Sequence, residues 1–304
     1  MAVGPQVAGP LPRSRLRSWR EVMLAYLLLT KPRIIVLLLV TTVTAMVLAA
    51  EGLPSIWLIA LTLAGGGLTA GGANAVNCYL DRDIDKLMTR THDRPVPAGR
   101  LEAEHALLFG LLLGAAGVLA LETFVNSLAA LLALGANTFY VLVYTMWLKR
   151  TTTQNIVIGG AAGAMPPLVG WAAVTGSLDL PALALFGIIL TWTPPHFWAL
   201  ALIYSADYQR AGVPMLPNTG GVRKTTNQIL LYSLLLVAVS LSLVASGAVG
   251  YLYLAVSLLL GAPFIFFAYQ LWRVPSNRHA LRLFKYSLYY LALLFITVMV
   301  DTFI

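Results

Sequence analysis

The chain is 304 residues long, 59% hydrophobic and only 11% charged, too few charges to cover a soluble globule of this size, which leaves a polytopic membrane protein. Its net charge of +8 does not mark a nucleic-acid binder, because the basic residues sit in short blocks between apolar runs, where they act as topology signals. The single cysteine, Cys78, excludes a disulfide framework and a cysteine metal cluster.

Residues 1–33 read as a basic cytoplasmic arm, rich in Gly, Pro and Arg, with Arg13, Arg15, Arg17 and Arg20 ahead of the first strong span; an Arg-rich, acid-poor presequence is the alternative. Residues 34–304 read as one domain. Nine apolar runs are long enough to span a bilayer, at about 34–52, 55–80, 104–122, 126–147, 155–175, 181–204, 228–248, 251–271 and 285–303. All are expected to be helices, so the fold class is all-α. Gly65, Gly66, Gly67, Gly71 and Gly72 in the second run, and Gly159, Gly160 and Gly163 in the fifth, remove side chains where helices could approach closely. With the N-terminus inside, this parse puts all 20 Lys and Arg on the inner side and leaves Glu51, Glu122, Asp179 and Asp301 outside, as cytoplasmic loops require.

The second run ends in Asn77-Cys78-Tyr79-Leu80-Asp81-Arg82-Asp83-Ile84-Asp85. Asn77, Asp81 and Asp85 are four apart, so on a helix they form one stripe, about 6 Å per step along the axis with a drift of about 40°. Asn74 precedes them on the stripe, and Asp83 points the other way, toward solvent. Oxygen ligands without His or Cys suit a hard cation, and Mg2+ reaches proteins through one or two carboxylates plus substrate phosphates. The stripe therefore reads as a Mg2+-diphosphate site; a solvated acidic helix end is the alternative. The sixth run similarly delivers Asp207 to the inner face, which hints at an internal duplication. His196 is the one histidine inside a run. It precedes Asp207 by eleven residues, which returns it to within about 20° of the same face and about 16 Å deeper, and with no proline between them this register is expected to hold. An ionisable residue at mid-membrane is a functional candidate; a hydrogen bond within a proline-kinked helix, for instance to Thr193, is the alternative.

Three further segments carry a resemblance: Tyr144-Thr145-Met146-Trp147-Leu148-Lys149-Arg150, Asn155 to Pro167, and Thr193-Pro194-Pro195-His196-Phe197-Trp198 continuing to Pro217. With the acidic motif they resemble the UbiA-type intramembrane prenyltransferases, and within them the haem branch, from the second helix through the loop after the sixth. The resemblance implies nine helices around a central cavity open to the cytoplasmic side, a farnesyl diphosphate donor, a haem B acceptor and Mg2+. Residue by residue, it implies that Asn77, Asp81 and Asp85, with Asp207, hold Mg2+; that Arg90, Arg94, Lys149 and Arg150 bind diphosphate; that Tyr144 and Lys149 act at the reacting bond; and that His196, Trp198 and Asn155 contact the acceptor, His196 as an axial ligand of the iron or as a polar group orienting the haem. One departure is that Asp207 lacks an acid four residues away, where Ile203 and Ala211 stand.

Tyr140, Tyr144, Trp192, Phe197 and Trp198 offer candidate aromatic faces to an allylic cation; packing or lipid-facing aromatics are the alternative, and the resemblance singles out Tyr144 alone. The short arm, with no long presequence, is expected of a bacterial plasma membrane protein among lipids, the mitochondrial inner membrane being the alternative; the resemblance implies a downstream haem A synthase or terminal oxidase. A prenyltransferase for a quinone or aromatic precursor and a transporter are the rival readings.

Overall fold

The computed structural model describes residues 18–304; Arg13, Arg15 and Arg17 of the expected arm lie outside them. Among the described residues, nine helices are long and apolar enough to cross a membrane: Pro32–Ala49, Ile56–Leu80, Ala103–Phe124, Ser127–Thr151, Asn155–Thr175, Leu180–Ile203, Leu216–Ala245, Tyr251–Arg273 and Asn277–Asp301, here the first to ninth spans. Helices are the expected outcome, because backbone polar groups in lipid must be satisfied within their own segment. Each span packs on its chain neighbour, and the ninth returns to the first, closing a ring. Exposed Leu108, Leu111, Leu112 and Leu119 give the third span an apolar outer face suited to lipid.

The second and third spans approach backbone to backbone through their glycines. A Cβ on Gly72 would lie 2.5 Å from the Gly110 carbonyl oxygen and the Gly114 nitrogen, and one on Gly117 would lie 2.5 Å from the Thr69 nitrogen, so neither position has room for a side chain. Gly66 and Gly163 have nothing within 4 Å of a built Cβ. Both line the central cavity, so they keep space for a ligand instead of admitting a neighbouring helix.

Several elements depart from the sequence expectation. Trp19–Leu29, inside the expected arm, is a helix with Ser18 and Glu21 in a reciprocal capping box. The fourth span changes to a π-helix over Phe139–Leu148. The fifth is interrupted at Met165 because Pro166 and Pro167 have no N–H to donate. The seventh begins at Leu216, twelve residues early, with a kink at Gly221 (φ +76°, ψ 168°), a conformation that glycine permits. The ninth begins at Asn277, where the Ser276 side chain caps it.

Candidate active site

The second span stops at Leu80, Asp81 leaves the helical conformation (φ −88°, ψ 3°), and Arg82–Asp85 adds one further turn. The hydrogen bonds from Asp81 N to Asn77 O (2.9 Å) and from Asp85 N to Asp81 O (2.8 Å) carry the four-residue spacing through the break. Asn74, Asn77, Asp81 and Asp85 accordingly line one cavity of ≈ 580 Å³, within the usual range for ligand sites. Asp81 and Asp85 are buried, at 0% and 2% exposure, and such carboxylates need partners. Lys149 Nζ (2.5 Å) and Asn77 Nδ2 (2.7 Å) donate to Asp81 Oδ2, and Arg94 Nη1 (2.7 Å) donates to Asp85 Oδ2. Asp81 Oδ1 is buried with no hydrogen-bond partner.

Lys31, in the sequence only one of the topology cations, belongs to this cluster as well. Its Nζ donates to Asn77 Oδ1 at 2.7 Å. Because an ammonium only donates and a carboxylate only accepts, Asn77 must turn its oxygen to Lys31 and its Nδ2 to Asp81. Among the described residues, Lys31 is one of two non-glycine residues in the left-handed region (φ 54°), an unfavourable position directly before a proline. The pairing with Asn77 and a proline at the start of the first span are what accompany that strain. Burial pushes the Lys31 ammonium below its ordinary pKa. Lys31, Arg90, Arg94 and Lys149 all line the same cavity.

Deeper in the cavity the walls are apolar and aromatic. In the π-helix Thr145 Oγ1 donates to Tyr140 O, five residues back, at 2.8 Å, and accepts from Asn77 Nδ2 at 3.1 Å, which ties the wider helix to the acidic stripe. Tyr140 and Tyr144 stack with ring centroids 5.4 Å apart, and Tyr144 fills the space left by Gly159, whose Cβ would lie 2.2 Å from Tyr144 Cδ2. Across the cavity the His196 ring lies between Trp192 (4.2 Å) and Phe284 (4.7 Å). All three, and Phe197, line the cavity.

Other expected site residues are elsewhere. Arg150 makes a forked pair with Asp83 at 2.7 and 2.8 Å and stands 4.0 Å from Asp81 Oδ1, so Asp83 is paired, not simply solvated; the Arg150 hydrogen bonds hold its carboxyl down at about 2. Asp207 is not on the cavity wall. It accepts from Thr89 Oγ1 (2.5 Å) and from Arg210, and although burial works to raise its pKa, these donors outweigh it and hold the pKa below the ordinary value. The His196 to Asp207 register fails because the helix breaks at Tyr204 (φ −103°, ψ 26°), a break no proline announces. Trp198 is buried against Tyr232, and Asn155 is buried with its Nδ2 on Thr152 O; neither lines the cavity. The Thr89–Asp207 bond and the approach of Arg90 to the Tyr204 ring (5.9 Å) bring the two loops together on one face of the ring.

Among the described residues no three or more His, Cys, Asp or Glu form a metal cage, which suits an ion held by two carboxylates and a substrate's phosphates. The oxygen-only donors and the unpartnered Asp81 Oδ1 fit Mg2+.

A ring of membrane spans with buried carboxylates and five basic residues, Arg33 among them, around an otherwise apolar chamber has the form of an intramembrane enzyme and suits an amphiphile with an anionic head. Residues 38–295 match the model of the UbiA prenyltransferase family. The chain is 54% identical over 278 residues to a protoheme IX farnesyltransferase of Gloeobacter violaceus, covering 91% of each. It is 54% identical over 291 residues to one of Symbiobacterium thermophilum, covering 95% of this chain and 97% of that one. A third, from Chloroflexus aurantiacus, is 53% identical over 93% of this chain, which spans about half (48%) of that relative's length. Among solved structures, a digeranylgeranylglyceryl phosphate synthase has the same fold (TM-score 0.77, 19% identity, covering 93% of this chain and 99% of that one). So does a UbiA homologue from Archaeoglobus fulgidus bound to DMAPP and Mg2+ (TM-score 0.66, 17% identity, covering 90% and 98%). The chain belongs to the UbiA prenyltransferase family.

Proposed function

We propose that the chain transfers the farnesyl group of farnesyl diphosphate to a vinyl group of protoheme IX with addition of water, giving haem O and diphosphate, and that it requires Mg2+. The observation that carries this reading is the unpartnered Asp81 Oδ1 amid Lys31, Arg90, Arg94 and Lys149 at the mouth of an aromatic-walled cavity. Names of relatives more than half identical support the donor and acceptor.

Asp81 and Asp85 would hold Mg2+, which when bound supplies charge to offset that developing on the leaving diphosphate. Lys31, Arg90, Arg94 and Lys149 bind diphosphate oxygens at a cavity with largely apolar walls, where fixed charges act more strongly than in water. The farnesyl C–O bond breaks with its electron pair leaving on diphosphate. The Tyr140 and Tyr144 faces stabilise the allylic cation, each by about 0.5–2 kcal/mol depending on desolvation. The vinyl group attacks that cation to form the new C–C bond, and the cation left beside the porphyrin takes up water and loses a proton. No enzyme nucleophile is needed. His196, between Trp192 and Phe284, faces the acceptor; Arg150, Asp207, Trp198 and Asn155 act outside this first contact.

The basic inner loops support a cytoplasmic N-terminus, and the bacterial sources of the relatives support a plasma membrane location; a haem A synthase or terminal oxidase would take the product. Retention of radiolabelled farnesyl diphosphate tests the site. It should require Mg2+ in the wild type and fall at least tenfold in Asp81→Asn and Asp85→Asn; metal-independent retention in all three would refute the assignment.

A further inference from the structure

His196 Nδ1 lies 2.6 Å from Ser287 Oγ, and Ser287 Oγ lies 2.7 Å from the Phe284 carbonyl oxygen. The carbonyl can only accept, so the single hydroxyl proton of Ser287 is directed to it. Ser287 Oγ then meets His196 as an acceptor, and the proton between them must belong to Nδ1. Ser287 is 0% exposed, so water does not compete for either bond. Its backbone oxygen also accepts from Trp192 Nε1 at 2.8 Å. One residue of the ninth span thus holds both rings of the sixth.

Stacking constrains the remaining freedom. Trp192 and Phe284 lie on the imidazole with interplanar angles of 18° and 26°, so the ring cannot turn over without separating them. Nε2 makes no hydrogen bond among the described residues, and the residue lines the cavity.

We propose that Ser287 is a positioning residue that locks His196 as the Nδ1–H tautomer and commits the Nε2 lone pair to the cavity, as an electron-pair donor to a Lewis-acidic centre such as the acceptor's iron. This decides between the two roles open to His196: it ligates the acceptor and does not donate a hydrogen bond to it. An Nδ1–H bonded to an oxygen also makes the imidazole a stronger ligand. The identity of the centre rests on the haem reading above, whereas the tautomer does not.

The test is 15N-histidine NMR of the ligand-free protein in lipid nanodiscs at mildly alkaline pH, with His196→Ala subtracted to separate His196 from the other histidines. The expected result is a protonated Nδ1 and an unprotonated Nε2; a proton on Nε2, or fast exchange between both nitrogens, overturns the proposal. Ser287→Ala should release the preference and weaken haem binding about 10–100-fold, as loss of a ligand's outer partner does, with a shifted haem absorption band. Unchanged nitrogen signals in Ser287→Ala would also overturn it, and the wild-type spectrum is decisive should that variant fail to fold. If haem added to the wild type leaves the His196 nitrogens unmoved, the haem reading fails while the tautomer result stands.

Discussion

Adding one methyl group at Gly159 tests whether the Tyr144 ring belongs to the reacting centre. A Cβ there would lie 2.2 Å from Tyr144 Cδ2 and 3.0 Å from Cγ and Cε2, roughly 1.2 Å short of ordinary contact. The ring cannot yield toward Tyr140, which is stacked on it at 5.4 Å. Either the ring enters the cavity or the fourth and fifth spans separate. Overpacking of this kind costs about 1–3 kcal/mol, and a 1 Å error in a catalytic group costs about 10²-fold in rate. Gly159→Ala should therefore lower farnesyl transfer about 100-fold, with a lower thermal midpoint in detergent. Gly135→Ala, with nothing within 4 Å of its Cβ and no place on the cavity wall, is the control and should keep both. Wild-type turnover in Gly159→Ala would show that the Tyr144 ring has no part in the chemistry.

Three further outcomes follow from particular contacts. Lys31→Met, which keeps most of the stem and removes the charge on Asn77, should raise KM for farnesyl diphosphate about tenfold by loss of a charge-assisted bond; an unchanged KM would return Lys31 to a topology role. Asp83 titrates at about 2, below its ordinary 3.8, because of Arg150, so its contribution is present above about pH 4 and is lost as the pH falls through 2. The pair is largely exposed and is worth at most about 1 kcal/mol. Wild type and Asp83→Asn should thus converge in thermal midpoint toward pH 2, and a constant difference across that range would refute the pairing. Asp301 accepts from the backbone of Gly250 and of Tyr253 (3.0 Å), closing the eighth span's start onto the ninth span's end. Asp301→Ala should cost about 1 kcal/mol, as a lost helix cap does, without changing turnover, and an unaltered thermal midpoint would count against it.

Periodicity and charge carried most of the fold. Apolar length fixed the nine spans, and the spacing of Asn77, Asp81 and Asp85 survived because the backbone bonds continue through Asp81. What was illegible depended on breaks and on distant partners. Tyr204 breaks the sixth helix without a proline, which takes Asp207 off the wall that His196 lines. The π-helix at Phe139–Leu148 shifts Tyr144 against Gly159, and apolar residues on both sides conceal it. Lys31 looks like any loop cation until the left-handed turn places it on Asn77, 46 residues away. Trp198 shares a motif with His196, yet two residues along a helix turn about 200°, which sends it into the core.

Farnesyl transfer to haem is read most directly from the mass of the pigment formed when the purified protein is incubated with farnesyl diphosphate, Mg2+ and haem B. The expected product is a haem heavier by one farnesyl group and one hydroxyl, formed in step with diphosphate release, with no such product from aromatic or quinone precursors. Prenylation of one of those precursors with haem B left unmodified would contradict it.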